Sequence, residues 1–186
     1  VSYCFLLFFM TSSMIFYMFA LLIWLSTVLF DKRLYILHLF TSFWASVYTW
    51  VVPAWSISIK GRQYIQNRTY IIVSNHQSLL DIIVAFRIFF HFKWVSKSEI
   101  FKIPFIGWNM KLNRYIKLVR GDKGSTLEMF KQCNQAIEKG SSIYIFPEGT
   151  RSKTGTLKPF KPGAFILAKD NKLPILPIVI SGTKDA

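Results

Sequence analysis

The fold is decided by the stretch YIIVSNHQSLLD, residues 70–81. Its first four residues are an apolar run typical of a buried strand, and its last seven carry a histidine and an aspartate five positions apart. A neutral imidazole can take a proton from a hydroxyl near pH 7, and a carboxylate on its other nitrogen fixes the tautomer and stabilises the imidazolium. We therefore predict that His76 is a general base and Asp81 its orienting acid, with the nucleophilic hydroxyl supplied by the substrate.

Outward from this stretch, predicted strands alternate with predicted helices. The further strands are expected at residues 55–59, 92–95, 115–119, 142–146 and 175–180, and helices at residues 79–90, 104–112 and 164–169. Another helix is marked by capping-box spacing of Ser125 and Glu128 and by Gly140 at its end. This alternation predicts an α/β fold, with a mixed layered sheet flanked by helices. Ligands of such sheets bind outside the carboxyl ends of the strands. Arg120 and the loop at Glu148 each follow a predicted strand, as His76 does.

The amino-terminal part of the chain is strongly apolar. Residues 1–30 carry no charge, and as a helix they would be about 45 Å long, which exceeds the ~30 Å hydrocarbon core of a bilayer. They can span a membrane or lie tilted in it, and they lack the basic start of a cleaved signal peptide. Residues 34–59 are also uncharged but more amphipathic, so we expect them to dip into one leaflet. We predict a hydrophobic two-helix membrane anchor over residues 1–56 and an α/β domain over residues 57–186.

The charge lies almost entirely after this anchor. Of the net charge of +14, residues from Lys60 onward contribute +13. A basic domain next to an anchor favours membrane phospholipids with anionic headgroups as partners, rather than nucleic acid, although a solvated basic face is the simpler alternative. Cys4 and Cys133 have no metal-binding or redox spacing, and we expect no metal.

Four motifs in order carry a family resemblance. They are the pair His76 and Asp81, Arg120 at a strand end, FPEGTR at residues 146–151, and LPILPI at residues 173–178. Together they resemble the glycerolipid acyltransferase family over residues 61–182, most closely the 1-acylglycerol-3-phosphate acyltransferases, which make phosphatidic acid. The resemblance implies a glycerol-3-phosphate acyltransferase-like fold and His76 with Asp81 as the catalytic dyad. It also implies acyl-CoA or acyl carrier protein as donor, lysophosphatidic acid as acceptor, and no bound cofactor.

The acceptor phosphate needs fixed cations, and the planar guanidinium of arginine suits it. The resemblance places that phosphate among six residues: Lys97, Arg120, Glu148, Gly149, Thr150 and Arg151. Glu148 is assigned an orienting role because a carboxylate facing a phosphate would repel it, and a purely structural ion pair between Glu148 and Arg151 is the alternative. Main-chain amides in the His76 turn are candidate donors to the oxyanion of the tetrahedral intermediate.

The leading hypothesis is transfer of an acyl group to the 2-hydroxyl of lysophosphatidate. Alternatives are another acceptor, such as glycerol-3-phosphate or a different lysophospholipid, a thioesterase in which His76 activates water, and a non-catalytic lipid-binding module. We expect a membrane location with the domain on the cytoplasmic face. Since the chain stops eight residues after Ile178, and family members usually continue, we also expect the domain to be truncated.

Overall fold

The computed structural model describes residues 3–52, 55–152 and 156–184. Its helices are α1 (Tyr3–Thr27), α2 (Tyr35–Val51), α3 (Leu80–Phe86), α4 (Ile106–Leu112), α5 (Lys123–Glu138) and α6 (Gly163–Asp170), with short 3-10 turns at Arg62–Tyr64 and Ser98–Lys102. Its strands are β1 (Ile71–Ser74), β2 (Phe92–Lys97), β3 (Ile116–Leu118), β4 (Ser142–Ile145) and β5 (Ile175–Ile178).

The five strands form one sheet in the order β3-β2-β4-β1-β5. All four pairings are parallel. The α/β class with flanking helices is therefore confirmed, and the sheet expected to be mixed is parallel throughout the described strands. Because parallel strands all end at the same edge, the residues that follow β1, β3 and β4 meet there.

The sheet has a core on each face, because parallel strands joined by helices are covered on both sides. On one face, α2, α3 and α4 pack over an aromatic cluster that includes Phe92, Trp94 and Tyr144. On the other face, α5 and α6 cover an aliphatic cluster that includes Ile71 and Ile143. The interior strand β1 is buried along its whole length, as the apolar run at residues 70–74 predicted.

Several predicted elements differ in the structure. Residues 55–59 form no strand; they lie beside β5 and line a cavity there without pairing. The helix predicted at residues 79–90 ends at Phe86, because the backbone turns through a positive φ of 48° at Phe89 to enter β2. The run at residues 175–180 was expected to be buried, but β5 is an edge strand with alternating exposure.

Two details concern β3 and the helix after it. Asp122, and not Ser125, caps α5: the Asp122 carboxylate accepts the main-chain N–H groups of Gly124 and Ser125 at 3.0 and 3.2 Å. The Ser125 hydroxyl instead accepts the N–H of the residue after β3 at 2.8 Å. Lys117 is exposed on β3, which is an edge strand, as its place in an apolar run had indicated.

The two amino-terminal helices differ in their surroundings. Within the described residues one helix is long and apolar enough to cross a membrane, over Leu6–Thr27, with a mean hydropathy of 2.2. In contrast, α2 buries one face against the domain, and the His38 ring bonds the hydroxyl of Tyr115 at 2.9 Å and the carbonyl of Phe90 at 3.0 Å. The boundary predicted at residue 56 therefore separates two parts that share a core.

Candidate active site

The two residues that the sequence paired meet at the carboxyl end of β1. His76 lies in the turn after β1, and Asp81 lies in the first turn of α3. Nδ1 of His76 and Oδ2 of Asp81 are 2.8 Å apart, and the two residues are only 7% and 0% exposed. The strand–turn–helix connection therefore delivers an imidazole held by a buried carboxylate, which is the arrangement of a general base.

The Asp81 carboxylate is held on both of its oxygens. Oδ2 also accepts the main-chain N–H groups of Gln77 and Ser78 at 2.6 and 2.9 Å, and Oδ1 accepts the hydroxyl of Thr183. Burial raises the pKa of this carboxyl, but the hydrogen bonds from His76, Thr183 and the two amides lower the pKa below its ordinary value. Asp81 thus stays ionised and oriented near neutral pH.

Thr183 is a site residue that the sequence did not reveal. It follows β5, whose pairing with β1 brings the end of the described chain beside the dyad. Asn75 strengthens the same junction, because its side-chain amide donates to the carbonyl of Ile180 at 2.7 Å and accepts the N–H of Ile180 at 2.8 Å. The signal available in the sequence for Thr183 was its hydroxyl group shortly after a predicted strand.

The His76 ring is also fixed by stacking. Phe146, just after β4, lies nearly parallel to it with ring centroids 3.9 Å apart and an angle of 12°. Trp94 supports Phe146 from β2, at a centroid distance of 5.3 Å. With Nδ1 bonded to Asp81 and one ring face covered, Nε2 is the nitrogen available for a substrate, and His76 lines the adjoining cavity.

Glu148 acts on the dyad through the main chain. Its buried carboxylate accepts the N–H of His76 at 2.8 Å and the N–H of Lys158 at 3.0 Å. The carbonyl of His76 in turn accepts the N–H of Ser152 at 2.8 Å. The described residues show no ion pair between Glu148 and Arg151. The geometry therefore agrees with an orienting Glu148 and not with the structural ion pair.

Three main-chain amides of the His76 turn are not available for the oxyanion. The N–H groups of His76, Gln77 and Ser78 all donate to the carboxylates of Glu148 or Asp81. Since each amide has a single proton, the expectation that these groups form an oxyanion hole is wrong. They instead hold the two carboxylates that orient the histidine.

A cavity of about 480 Å³ opens beside the dyad. Its walls come from α1, α2, α3, α4 and three strands and are mainly apolar, with contributions from Trp44, Ile82, Ile106 and Leu118. Five predicted site residues besides His76 line it, namely Lys97, Arg120, Gly149, Thr150 and Arg151. A cavity with apolar walls and a cationic side next to a base fits a molecule with one lipid part and one anionic part.

The cationic side chains that line the cavity differ in exposure and in ion pairing. Arg120 and Arg151 are exposed and reach the cavity from the ends of β3 and β4. Lys97 is paired with Glu99, with Nζ and Oε1 2.9 Å apart, and this ion pair lowers the pKa of Glu99 to about 2. A phosphate contact by Lys97 would therefore have to share its ammonium with Glu99.

Gly149 is required by the backbone. Its φ is +69°, a conformation that residues with a side chain rarely adopt, and a Cβ there would lie 3.0 Å from Cε of Lys161. The N–H of Gly149 closes the turn by donating to the carbonyl of Phe146 at 3.0 Å.

Comparison with known proteins identifies the relatives of this chain. The sequence profile of the family described as Acyltransferase matches residues 56–181. A chloroplastic 1-acyl-sn-glycerol-3-phosphate acyltransferase of Brassica napus is 39% identical over 159 residues, covering 84% of this chain and 46% of that protein. The 1-acyl-sn-glycerol-3-phosphate acyltransferase of Saccharomyces cerevisiae is 37% identical over 131 residues, covering 68% of this chain and 43% of that protein. The chain spans about half the length of the curated relatives it matches.

Among solved structures, the fold is similar to that of the 1-acyl-sn-glycerophosphate acyltransferase PlsC from Thermotoga maritima. The TM-score is 0.67 at 23% identity, over 94% of this chain and 75% of that chain. At this identity the likeness shows the fold.

Proposed function

The chain belongs to the acyltransferase family, and we propose from this premise that it transfers a fatty acyl group from an acyl thioester to the sn-2 hydroxyl of 1-acylglycerol-3-phosphate, giving phosphatidic acid. The observation that carries the proposal is the oriented dyad at a cavity with apolar walls and arginines at its side. The names of the relatives support the same acceptor.

The geometry supports a direct transfer. With Nδ1 held by Asp81, Nε2 of His76 takes the proton of the acceptor hydroxyl, whose oxygen attacks the thioester carbonyl. Collapse of the tetrahedral intermediate breaks the C–S bond, and the imidazolium returns its proton to the leaving thiolate. Asp81 stabilises the imidazolium between these two steps, and Glu148 keeps the turn in place through the His76 amide.

The cavity supports an orientation for the acceptor. We expect its apolar wall to receive hydrocarbon and the phosphate to lie against Arg120 and Arg151, since the N–H of Gly149 already donates to the carbonyl of Phe146 at 3.0 Å. The thiol carrier is either coenzyme A or acyl carrier protein, because both present the same thioester to His76.

We further propose that the protein works at a membrane, with its domain on the cytoplasmic face. One side of α1 packs on the domain, where Tyr17 contacts Phe105 and Trp108 at ring-centroid distances of 6.1 and 5.5 Å. The opposite side is apolar and exposed, including Leu7, Ile15 and Leu22. This side-on packing favours a helix that lies along the lipid surface together with the domain.

The test is thiol release from palmitoyl-CoA by detergent-solubilised protein, with and without 1-acylglycerol-3-phosphate. We expect acceptor-dependent release that His76→Ala abolishes. The matched control is Ser78→Ala in the same turn, whose hydroxyl only accepts a long 3.3 Å bond from the N–H of Leu80, and it should keep activity close to that of the unchanged protein. Release without acceptor would contradict the proposal and point to a thioesterase, and full activity of His76→Ala would remove the base assignment.

A further inference from the structure

An exposed apolar surface lies next to the site and takes no part in the dyad. It is formed by the segment of residues 157–161, with the sequence LKPFK, and by the outer side of α6. Leu157 is 65% exposed and Phe160 is 48% exposed, and α6 adds Phe165 and Ile166. The rings of Phe160 and Phe165 stack with centroids 6.3 Å apart. Single exposed apolar residues are ordinary, but a stacked group of this kind marks an interaction surface.

The 157–161 segment is fixed to the site. The N–H of Lys158 donates to Glu148, and its ammonium donates to the carbonyl of Arg151 at 2.9 Å. The N–H of Lys161 donates to the carbonyl of Pro147 at 2.8 Å, and the Lys161 side chain lies against Gly149. The polar contacts of Lys158 and Lys161 therefore hold the segment in place, and with it the exposed apolar side chains.

The charge of this surface is mainly positive. From residue 151 to residue 170 the sequence has five basic residues and one acidic residue, Asp170 at the end of α6. Lys161 and Lys169 are exposed beside the apolar group. Lysines interleaved with phenylalanine and leucine are typical of protein surfaces that sit in the headgroup region of a bilayer, where each basic residue adds about 1 kcal/mol of attraction to anionic lipid.

The loop that the 157–161 segment holds shares a cavity with the apolar amino-terminal helix. Phe9 of α1 and the loop residues Gly149, Thr150 and Arg151 line the same cavity. The walls of the cavity therefore include both α1, which has an exposed apolar side, and the loop that the 157–161 segment holds. A flat lipid surface that touches both would cover the mouth, whereas an acidic protein would account for the charge alone.

We propose that the 157–161 segment, with Phe165 and Ile166, is a second membrane contact that binds an anionic lipid surface and turns the cavity mouth towards it. The acceptor then enters from the lipid surface and not from water. The consequence for turnover rests on the proposed function, while the lipid contact itself does not.

The first measurement needs no catalysis. An environment-sensitive dye is attached to Phe160→Cys in a Cys4→Ser background, since the native Cys133 is buried. The matched control carries the dye at Leu127→Cys on α5, a site that is 72% exposed. We expect the emission at position 160 to shift to the blue with phosphatidylglycerol vesicles and much less with phosphatidylcholine vesicles, and the emission at position 127 to stay constant. Equal emission at both positions with both vesicles would overturn the proposal.

The second measurement tests the route of the acceptor. For Leu157→Ser with Phe160→Ser, transfer to lysophosphatidate in phosphatidylglycerol vesicles should fall roughly 10- to 30-fold, from the apolar area withdrawn from lipid. Transfer to a short-chain acceptor dissolved as monomers should be unchanged. The control pair Leu127→Ser with Val179→Ser, which are 72% and 87% exposed, should behave like the unchanged protein with both acceptors. A loss seen only with acyl carrier protein as donor, without the dye shift, would overturn the lipid contact and assign the surface to an acidic protein.

Discussion

Replacing Asp81 by Asn tests how much the charge of the dyad contributes. Asn has the same shape, and its amide oxygen can take the place of Oδ2, which accepts from His76, Gln77 and Ser78. Its NH₂ group then faces the Thr183 hydroxyl, which can turn to accept a hydrogen bond where it now donates to Oδ1. The fold and the tautomer of His76 should therefore be kept, and the negative charge lost.

The size of the expected loss in Asp81→Asn follows from the distance between the charges of His76 and Asp81. Nδ1 and Oδ2 are 2.8 Å apart, so the centres of the imidazolium and carboxylate charges lie about 4 Å apart, and their attraction is about 4 kcal/mol at an effective dielectric constant near 20. The amide dipole of Asn keeps part of this, which leaves a loss of about 2–4 kcal/mol in the transition state. We expect kcat to fall roughly 30- to 1000-fold, with little change in KM for the acceptor.

The assay is initial-rate thiol release from acyl-CoA at saturating 1-acylglycerol-3-phosphate, with thermal unfolding of both proteins measured alongside. A folded Asp81→Asn protein whose kcat lies within about threefold of the unchanged protein would refute the reasoning, since that corresponds to less than 1 kcal/mol. The electrostatic role of Asp81 would then be replaced by a purely structural one.

Two further predictions concern buried groups. Thr183→Val removes a hydrogen bond to a buried carboxylate and should lower the free energy of unfolding by about 1.5–3 kcal/mol near pH 7. Because that bond lowers the pKa of Asp81, the deficit should shrink as the pH falls and the carboxyl protonates, and a deficit in urea unfolding that is the same at pH 7 and at low pH would contradict this. Burial lowers the pKa of Lys93 from its ordinary 10.5 to about 7. The charged ammonium therefore lowers the free energy of unfolding by on the order of 5 kcal/mol below pH 7, and this loss disappears as the pH rises towards 10.5. Stability should thus increase from pH 7 to 9.5 in the unchanged protein, and a Lys93→Met variant that shows the same increase would contradict the assignment to Lys93.

The parts of the site predicted from the sequence are those that are local in the chain. His76 and Asp81 are five residues apart across a strand end and a helix start, so the secondary structure alone nearly fixes their distance. Gly149 and Arg151 lie in the loop after β4, and in a parallel sheet their position near the carboxyl edge comes from the direction of the strand. The roles of these residues in binding and catalysis stay predictions.

The errors also have physical causes. Residues 55–59 alternate like a strand, but alternation is satisfied as well by a segment with one side against a cavity, and they lie beside β5 without pairing with it. The turn amides were available by sequence, yet the carboxylates of Glu148 and Asp81 compete for them. Sequence periodicity and closeness in the chain do not show to which of two acceptors a main-chain N–H donates.

The sequence by itself determined the α/β class, the apolar amino-terminal helix and the pairing of His76 with Asp81, because periodicity, length and short spacing act within one element or one turn. Only the tertiary structure decided that the strands are parallel in the order β3-β2-β4-β1-β5, that Thr183 holds Asp81 from 102 residues away, and that Phe146 stacks on His76. These contacts join segments that are remote in the chain, and their geometry depends on which strands pair. Pairing is set by the packing of the whole core and not by any local pattern.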